Sequence, residues 1–306
     1  MAEIGRSVSP VSTPDALARA RQRASLVPDL LVEARRVANT VIAGWHGRRK
    51  RGIGENFWQF RPYVEGEAQS RIDWRRSARD DDHIYVRDRE WEAAHTVWLW
   101  ADPSPSMLFQ SAGALVSKES RALVLILALA ELLSRSGERI AWPGLTDPFT
   151  SRNGAERLAG NLAHAAERPA RPDLMHIRRM SDLVVAGDFL DPVEDTIAWL
   201  SPLAERGVRV HLMEIVDPAE ESFPYAGRTE FRDPETGGRL TAGRAETVAA
   251  GYRNHYVARR EALMEWCRRA AWSYTVNHTD RPASEALVRV HLMMSAGTDP
   301  LAGGGR

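Results

Sequence analysis

Apolar and polar positions follow one another along this chain in a strand–helix order. An intermittent apolar face over 14–43 predicts a long first helix. Five apolar runs then predict buried strands, at 96–101, 139–142, 183–187, 208–216 and 273–276. Four longer segments, most of them bounded by Gly, Pro or Asn, predict helices, at 118–136, 153–167, 192–206 and 248–271. This alternation predicts an α/β domain with a mainly parallel sheet and helices on both faces.

One segment interrupts the alternation. Between positions 217 and 244 the chain carries three prolines and the turn 233–238, with a short strand-like stretch on either side of the turn. We interpret this segment as a peripheral β-hairpin. The predicted organisation is an N-terminal extension over 1–92, an α/β domain over 93–296 with the hairpin inserted at about 217–244, and a flexible tail over 297–306.

Composition narrows the class of protein. The 41 basic and 41 acidic residues of the 306-residue chain balance to a net charge of zero, which provides no general attraction to nucleic acid or to a membrane surface. The longest apolar run, 122–133, is shorter than the roughly 18 residues of a membrane span, and residues 1–12 lack the apolar segment of a secretory signal. The one cysteine, Cys267, excludes an intramolecular disulfide and fits a reducing compartment. We therefore expect a cytoplasmic protein without a membrane span.

The first candidate for chemistry is a loop directly after the strand at 96–101. There Asp102, Ser104 and Ser106 place a carboxylate and two hydroxyls at alternating positions. In α/β sheets the loops at the carboxyl ends of the strands form the crevice that binds ligands. Carboxylate and hydroxyl oxygens favour Mg²⁺, Mn²⁺ or Ca²⁺ over softer metals. The alternative is an Asp/Ser/Pro turn whose hydroxyls cap the next helix.

A second carboxylate follows a strand in the same way. Asp188 comes directly after the apolar run 183–187, so two neighbouring parallel strands would bring both carboxylates to one crevice. A further oxygen could come from Thr146, Thr150 or Ser151, in the loop before the helix that starts near Asn153. The predicted metal ligands are Asp102, Ser104, Ser106 and Asp188, with Thr150 or Ser151 as the candidate from the third loop.

Two basic clusters precede the α/β region. The run 48–51 could contact nucleic acid or anionic lipid, although a basic run between glycines is usually just solvated. A second block could serve base stacking or a protein interface, and consists of Arg61, Arg71, Asp73, Trp74 and Arg79. The structural alternative is that Asp73 pairs with an arginine while Trp74 fills a gap between the extension and the sheet.

Several short motifs carry a resemblance to known proteins. They are Gly52-x-Gly54-x-x-Phe57, Phe60-Arg61-x-Tyr63-x-x-Gly66, Arg71-Ile72-Asp73-Trp74, Ser77-Ala78-Arg79 and Asp102-x-Ser104-x-Ser106-Met107. With them, the chain from about Arg48 to Met294 resembles the bacterial family called domain of unknown function fifty-eight. That family is similar in fold to the von Willebrand factor type A domain, and its members often accompany MoxR-type AAA ATPases.

The resemblance implies a metal-ion-dependent adhesion site. Ser104 and Ser106 would bind the ion directly, while Asp102 and Asp188 would act through waters, and one position would stay open for an acidic side chain of a partner. Mg²⁺ suits this arrangement best, with Mn²⁺ or Ca²⁺ as alternatives. The chain departs from the family pattern at Glu67, which replaces an aspartate, and in the third loop, where the threonine has no unique counterpart.

The function expected from these observations is a non-enzymatic, metal-dependent interaction module. The resemblance implies a MoxR-type AAA ATPase as partner, in chaperone-like maturation of a protein complex. One alternative is a Mg²⁺-dependent phosphoesterase with Asp102 as nucleophile, but Ser104 stands where such enzymes have a second aspartate as general acid. The other alternative is a nucleic-acid-binding module that uses the basic run 48–51.

Overall fold

The computed structural model describes residues 13–46, 59–64, 72–80, 83–88, 95–165 and 169–296. In chain order its elements are α1 (Thr13–His46), β1 (Gln59–Pro62), α2 (Trp74–Ser77), β2 (Tyr85–Asp88), β3 (Thr96–Ala101), α3 (Lys118–Arg135), β4 (Arg139–Trp142), β5 (Thr146–Phe149), α4 (Gly154–His164), β6 (Ser181–Gly187), α5 (Val193–Glu205), β7 (Arg209–Val216), α6 (Pro218–Ser222), β8 (Thr229–Arg232), β9 (Arg239–Ala242), α7 (Ala249–Arg269), β10 (Ser273–His278) and α8 (Ala283–Ala296). The chain divides into two compact units, one formed by Met1–Ala43 with His95–Arg306 and the other by Gly44–Ala94.

The larger unit is built on a six-stranded sheet in the order β10–β7–β6–β3–β4–β5. Its strands are parallel except for β5, which pairs antiparallel with β4. The central strand β6 is buried along its whole length, and β3 is buried after its first residue. Continuous apolar strands of this kind are typical of a parallel sheet covered on both faces. The predicted α/β class, Rossmann-like with a mainly parallel sheet, is confirmed.

The helices form two groups around the sheet. The almost fully buried α3 contacts α4 and α8, whereas α5 contacts α7. The order of the strands explains this division, because the crossover through α3 leads away from the centre of the sheet in one direction and the crossover through α5 leads in the other. Right-handed crossovers in opposite directions place their helices on opposite faces.

This topology creates a switch point between β3 and β6. From β3 the chain moves to β4 on one side, and later returns to β6 on the other side of β3. The register pairs Ala101 with Ala186, so that the two strands end side by side. In open α/β sheets ligands bind outside the carboxyl ends of the strands at such a switch point.

The first helix belongs with the sheet rather than with the residues that follow it. The described apolar face of α1, which includes Ala34 and Ala38, is buried. Arg35 of the same helix pairs with Glu131 of α3 and Glu156 of α4. In the division into two units, most of α1 groups with the α/β unit, and residues 44–94 form the second unit.

The hairpin and two elements that the pattern did not single out complete the larger unit. Strands β8 and β9 pair antiparallel around the turn 233–238, where a hairpin was predicted. The edge strand β5 was expected to be a loop, and α8 was not predicted. None of the helices in the described part of the chain combines the length and the apolar character that a membrane crossing requires.

Candidate functional site

The loop after β3 is folded by its own aspartate. The Asp102 amide donates to the Ala186 carbonyl at 2.8 Å, which extends the pairing of β3 with β6 by one residue. Asp102 Oδ1 then accepts a hydrogen bond from the Ser104 amide at 2.8 Å, and this Asx turn leads into a short 3₁₀ helix over Pro105–Leu108. As a result the Ser104 and Ser106 hydroxyl oxygens lie 3.1 Å apart.

The end of β6 comes very close to this loop. A Cβ atom at Gly187 would lie 3.2 Å from Asp102 Cβ and 3.3 Å from Asp102 Oδ2. Asp188 follows and is buried, and its Oδ1 accepts a hydrogen bond from the Leu190 amide at 3.2 Å. The side chains that sequence reasoning placed at two strand ends therefore line the same crevice.

A buried lysine faces Asp188. Lys118, on the first turn of α3, is 0% exposed, and its Nζ donates to Asp188 Oδ2 at 2.8 Å and to Glu220 Oε1 at 2.5 Å. Burial lowers the pKa of Lys118, but the charges and hydrogen bonds of Asp188 and Glu220 outweigh this effect and raise it. The helix dipole disfavours a cation at a helix N-terminus. The two carboxylates offset this effect and stabilise the charged ammonium group of Lys118 there.

The end of β7 supplies the second carboxylate of this lysine. Asp217 caps α6 in a capping box, in which its Oδ1 accepts from the Ala219 amide at 2.9 Å and its own amide donates to Glu220 Oε2 at 3.0 Å. Asp217 Oδ2 also accepts from the Ser111 amide at 2.8 Å, which ties this turn to the loop after β3. Burial raises the pKa of Glu220, and its contacts with Lys118 offset only part of that shift.

An arginine of α7 holds the turn that follows Asp188. Arg259 donates to the Asp188 and Phe189 carbonyls at 2.7 and 2.6 Å, and to Glu214 of β7 at 2.5 Å. Phe189 has a φ of 50°, a left-handed conformation that is strained for a side chain of this size. The three contacts of Arg259 stabilise this strained turn and so fix the position of Asp188.

The hairpin turn also reaches the site, although a peripheral position was expected for the hairpin. Glu235 Oε1 accepts a hydrogen bond from the Ser106 amide at 2.9 Å. Burial raises the pKa of Glu235, and the hydrogen bonds from Ser106 offset only part of that shift. Phe231 of the hairpin packs with Phe223 and Tyr252, with ring centroids 5.5 Å apart for Phe223–Phe231 and 4.8 Å apart for Phe223–Tyr252.

These elements surround a cavity of about 850 Å³. Its walls combine aromatic side chains with an excess of acidic ones. Seven of the described residues that line it are acidic and two are basic, namely Asp102, Asp188, Asp191, Asp195, Glu220, Asp233 and Glu235 against Lys118 and Arg171. Of the two cations, Lys118 pairs with Asp188 and Glu220, and Arg171 pairs with Asp191 on the exposed rim.

Burial and the acidic surroundings both affect the pKa of Asp102. Burial, together with the negative charge of Asp188, raises the pKa of Asp102 to about 7, despite the hydrogen bonds from Ser104. A carboxyl group with this pKa carries its charge at a cost near neutral pH. Strongly shifted carboxyl groups in a cavity are characteristic of functional sites.

The donor set of the loop fits a hard divalent cation. Adjacent ligands of an octahedral Mg²⁺ with bonds of 2.0–2.1 Å are about 3 Å apart, and the Ser104 and Ser106 hydroxyls lie 3.1 Å apart. Within the described residues, no group of three or more His, Cys, Asp or Glu side chains is placed to hold a metal ion. A cation at this site would therefore depend on the serine hydroxyls together with Asp102.

The third loop does not reach the cavity. Strand β5 runs antiparallel to β4 and its last residue, Phe149, pairs with Ile140 near the start of β4. Thr150 and Ser151 therefore lie near the amino ends of the parallel strands, at the end of the sheet opposite the crevice. There Ser151 Oγ accepts a hydrogen bond from the Asn153 amide at 3.2 Å. Neither residue is among those that line the cavity. Strand β5 thus carries Thr150 and Ser151 away from the crevice. Thr146, at the start of β5, accepts a hydrogen bond from the Trp142 amide at 2.9 Å and is not among the lining residues either.

The Arg/Trp block lies in the smaller unit. Asp73 caps α2, with its Oδ1 accepting from the Arg76 amide at 3.0 Å. Trp74 is 62% exposed, and Arg79 is exposed as well. The backbone of Arg61 lies in β1, opposite Val86. Arg71, Glu67 and the basic run 48–51 lie outside the described residues.

Sequence reasoning missed three charged residues of the site, Lys118, Glu220 and Glu235. The pattern Asp217-Pro218-x-Glu220 directly after a strand is a capping-box signature and could have indicated Glu220. No local pattern links Glu235 to Ser106, which is 129 positions away. Lys118 likewise pairs with carboxylates 70 and 102 positions along the chain.

Solved structures resemble this chain only distantly. An aerotolerance-related membrane protein from Bacteroides fragilis and the conserved hypothetical protein BatB from Bacteroides thetaiotaomicron each share 14% identity, cover 66% of this chain and 99% of their own, and have a TM-score of 0.38. An uncharacterised membrane-spanning protein from Vibrio fischeri shares 11% identity, covers 67% of this chain and 98% of its own, and has a TM-score of 0.20. No curated protein matches the chain.

The family model described as protein of unknown function DUF58 matches residues 59–262. This range includes the loop after β3, Lys118, Asp188, the turn after β7 and the hairpin. It covers about two thirds of the chain and nearly all of the candidate site. The chain therefore belongs to the DUF58 family.

Proposed function

We propose that this protein is a non-enzymatic interaction module that binds an acidic side chain of a protein partner through a divalent cation. The observation that carries the proposal is the pair of hydroxyls of Ser104 and Ser106, which lie 3.1 Å apart beside Asp102 at the topological switch point. Hydroxyls at this spacing next to a carboxylate suit Mg²⁺, with Mn²⁺ or Ca²⁺ as alternatives.

The charges around the loop support a cation. Asp102, with a pKa raised to about 7, gains most from a positive charge close to it. Asp188 accepts one hydrogen bond at each oxygen, from Lys118 at Oδ2 and from the Leu190 amide at Oδ1, so its charge stays beside Asp102 and its remaining lone pairs can accept from metal-bound water. When bound, Mg²⁺ would supply a positive charge and an open coordination position for a carboxylate.

The partner and the compartment rest on the sequence. Resemblance to a von Willebrand A-like family suggests a MoxR-type AAA ATPase as partner, in chaperone-like maturation of a complex. The single cysteine, Cys267, is a buried free thiol, which supports a reducing cytoplasmic location. A balanced net charge gives no reason to expect nucleic acid as a ligand.

Phosphoesterase activity has no comparable support. Ser104 cannot replace the acidic proton donor of such enzymes, because a serine hydroxyl is a poor acid near neutral pH.

The first test is cation binding to the full chain. We expect titration calorimetry of chelator-stripped protein with Mg²⁺ to give one saturable site, which Asp102→Ala and the double variant Ser104→Ala/Ser106→Ala both lose. The matched control is Ser151→Ala, which removes a serine hydroxyl at the other end of the sheet and should bind as wild type does. Equal binding by wild type and Asp102→Ala would contradict the proposal.

The second test concerns the partner. Purified MoxR-type AAA ATPase should be retained by immobilised wild-type protein in Mg²⁺ and released by a chelator. Asp102→Ala should retain no more than background, whereas Ser151→Ala should match wild type. Equal retention by wild type and Asp102→Ala would refute metal-dependent docking even if Mg²⁺ binds.

A further inference from the structure

The hairpin turn carries an acidic side chain onto the candidate binding loop. Glu235 Oε1 accepts the Ser106 amide proton at 2.9 Å, on the same loop whose two hydroxyls lie 3.1 Å apart. Glu235 and Ser106 both line the cavity. A carboxylate of the chain itself thus already contacts the loop to which the proposed function brings the carboxylate of a partner.

The turn is built to present this glutamate. Asp233 organises it by accepting hydrogen bonds from the Glu235 amide at 2.9 Å and from the Thr236 hydroxyl at 2.5 Å. Gly237, with a φ of 72°, completes the reversal. These bonds lie within the turn itself, so the Glu235 side chain remains available for a contact outside the hairpin.

Little else in the hairpin strands is buried. Glu230 and Leu240 are exposed, and Leu240 is 64% exposed despite its apolar side chain. The hairpin packs on the larger unit through Ala242, which is buried at its base, and through Phe231, which lies two positions before the turn and packs on Phe223. The turn 233–238 beyond Phe231 is exposed, so it can move at a low cost in buried apolar surface.

We propose that Glu235 occupies, in cis, the position of the acidic ligand, so that a partner binds by displacing the hairpin turn with its own carboxylate. This inference rests on the proposed function and adds the identity of the competitor. It also defines the partner's chemistry, since the ligand must be an acidic side chain on a protruding turn or chain end that can enter beside Ser106. The free protein is thereby held in a state of reduced affinity.

The test is a competition measured on the full chain. Glutarate serves as the probe because it carries a carboxylate on a short methylene chain, as a glutamate side chain does. In the presence of Mg²⁺, the amide signal of Ser106 in serine-labelled protein should report glutarate binding. We expect Glu235→Ala to bind glutarate about tenfold more tightly than wild type, because one charge-assisted competitor is gone. Glu235→Gln, which keeps the acceptor and loses the charge, should fall between them.

The matched control is Glu230→Ala, which removes an exposed glutamate of the same hairpin. It should bind glutarate as wild type does, and calorimetry should show one saturable Mg²⁺ site in all four proteins. Equal glutarate affinity for wild type and Glu235→Ala, with Mg²⁺ bound normally, would overturn the inference and leave the proposed function intact. Weaker glutarate binding by Glu235→Ala would also overturn it. Absence of Mg²⁺ binding to wild type would remove the proposed function and this inference together.

Discussion

The two ends of strand β6 each carry a buried aspartate in contrasting surroundings. Asp182, near the start of the strand, is 1% exposed and accepts two hydrogen bonds at 2.7 Å from Arg209. Nitrogen atoms of His95 and His211 each lie 3.5 Å from it. Burial alone would raise the pKa of Asp182, but these neighbours outweigh burial and lower it. Asp188, about 20 Å away at the other end, shares its surroundings with Asp102, whose pKa is raised.

The difference separates a structural charge cluster from a candidate functional one. At the amino end, the single carboxylate of Asp182 faces the guanidinium group of Arg209 and two histidine rings, so its negative charge has a cationic partner. At the carboxyl end, the described lining of the cavity contains more carboxylates than cations, and the raised pKa of Asp102 shows that its ionisation is unfavourable there. A folded protein with such unfavourable charge in a cavity is expected to become more stable when a ligand binds there.

The largest change in stability is expected for a substitution of Asp182, at the amino end of β6. Asp182→Asn removes the negative charge that Arg209 faces and turns an amide donor toward its guanidinium group. We expect a loss of about 3 kcal/mol in the free energy of unfolding, as for other broken buried pairs. Urea denaturation at pH 7 measures this loss. Unchanged stability would show that the Asp182 cluster is dispensable and that the contrast between the two ends does not hold.

A smaller effect of opposite sign is expected at the carboxyl end. The pKa of Asp102 is raised from 3.8 to about 7, so the folded protein binds a proton more tightly than the unfolded chain does. Ionisation of Asp102 therefore costs stability that is fully lost above pH 7 and regained as the pH falls toward 4. We expect Asp102→Asn to be about 2 kcal/mol more stable than wild type at pH 8 in chelator.

The pH dependence provides the control for this prediction. The advantage of Asp102→Asn should shrink by more than half when urea denaturation is repeated at pH 5, because Asp102 of wild type is then largely protonated in the folded state. A variant that is less stable than wild type at pH 8, or an advantage that does not change with pH, would contradict the assigned cause.

The smallest effect is expected on the rim of the same cavity. Arg171 pairs with Asp191 at 2.7 Å, but Asp191 is exposed and water screens the pair. We expect Arg171→Gln to change the free energy of unfolding by less than about 0.5 kcal/mol. A Tm within one or two degrees of wild type would agree with this value, whereas a large shift would mean that the rim belongs to the buried cluster.

The positions of the strand ends could be predicted because they depend on local pattern. The buried runs of β3 and β6 stop at Asp102 and Asp188 as expected, and Gly137, with a φ of 82°, ends α3 where a glycine stop was predicted. Strand β5 escaped prediction because it is short and contains a proline, which is tolerated at a sheet edge but weakens the strand signal. Its direction then decides where Thr150 lies.

The charged partners of the site could not be predicted for a different reason. The sequence around Lys118 predicts only the start of a helix, and the sequence around Glu235 predicts only a solvated turn. Their roles depend on contacts between distant parts of the chain, and no periodicity or spacing records such contacts. The sequence therefore indicates the oxygen donors of the loop but neither the neighbouring lysine nor the glutamate of the hairpin.

Because Gly187 has no side chain, Asp102 can lie close to the end of β6. The nearest atoms of Asp102 leave 3.2 Å for any added Cβ, closer than most real carbon contacts. Every residue with a side chain at 187 would have to push the first aspartate aside, even though the substitution lies in the sheet and alters no oxygen donor. Steric size at this one backbone position thus limits how closely the two strands can bring their carboxylates together.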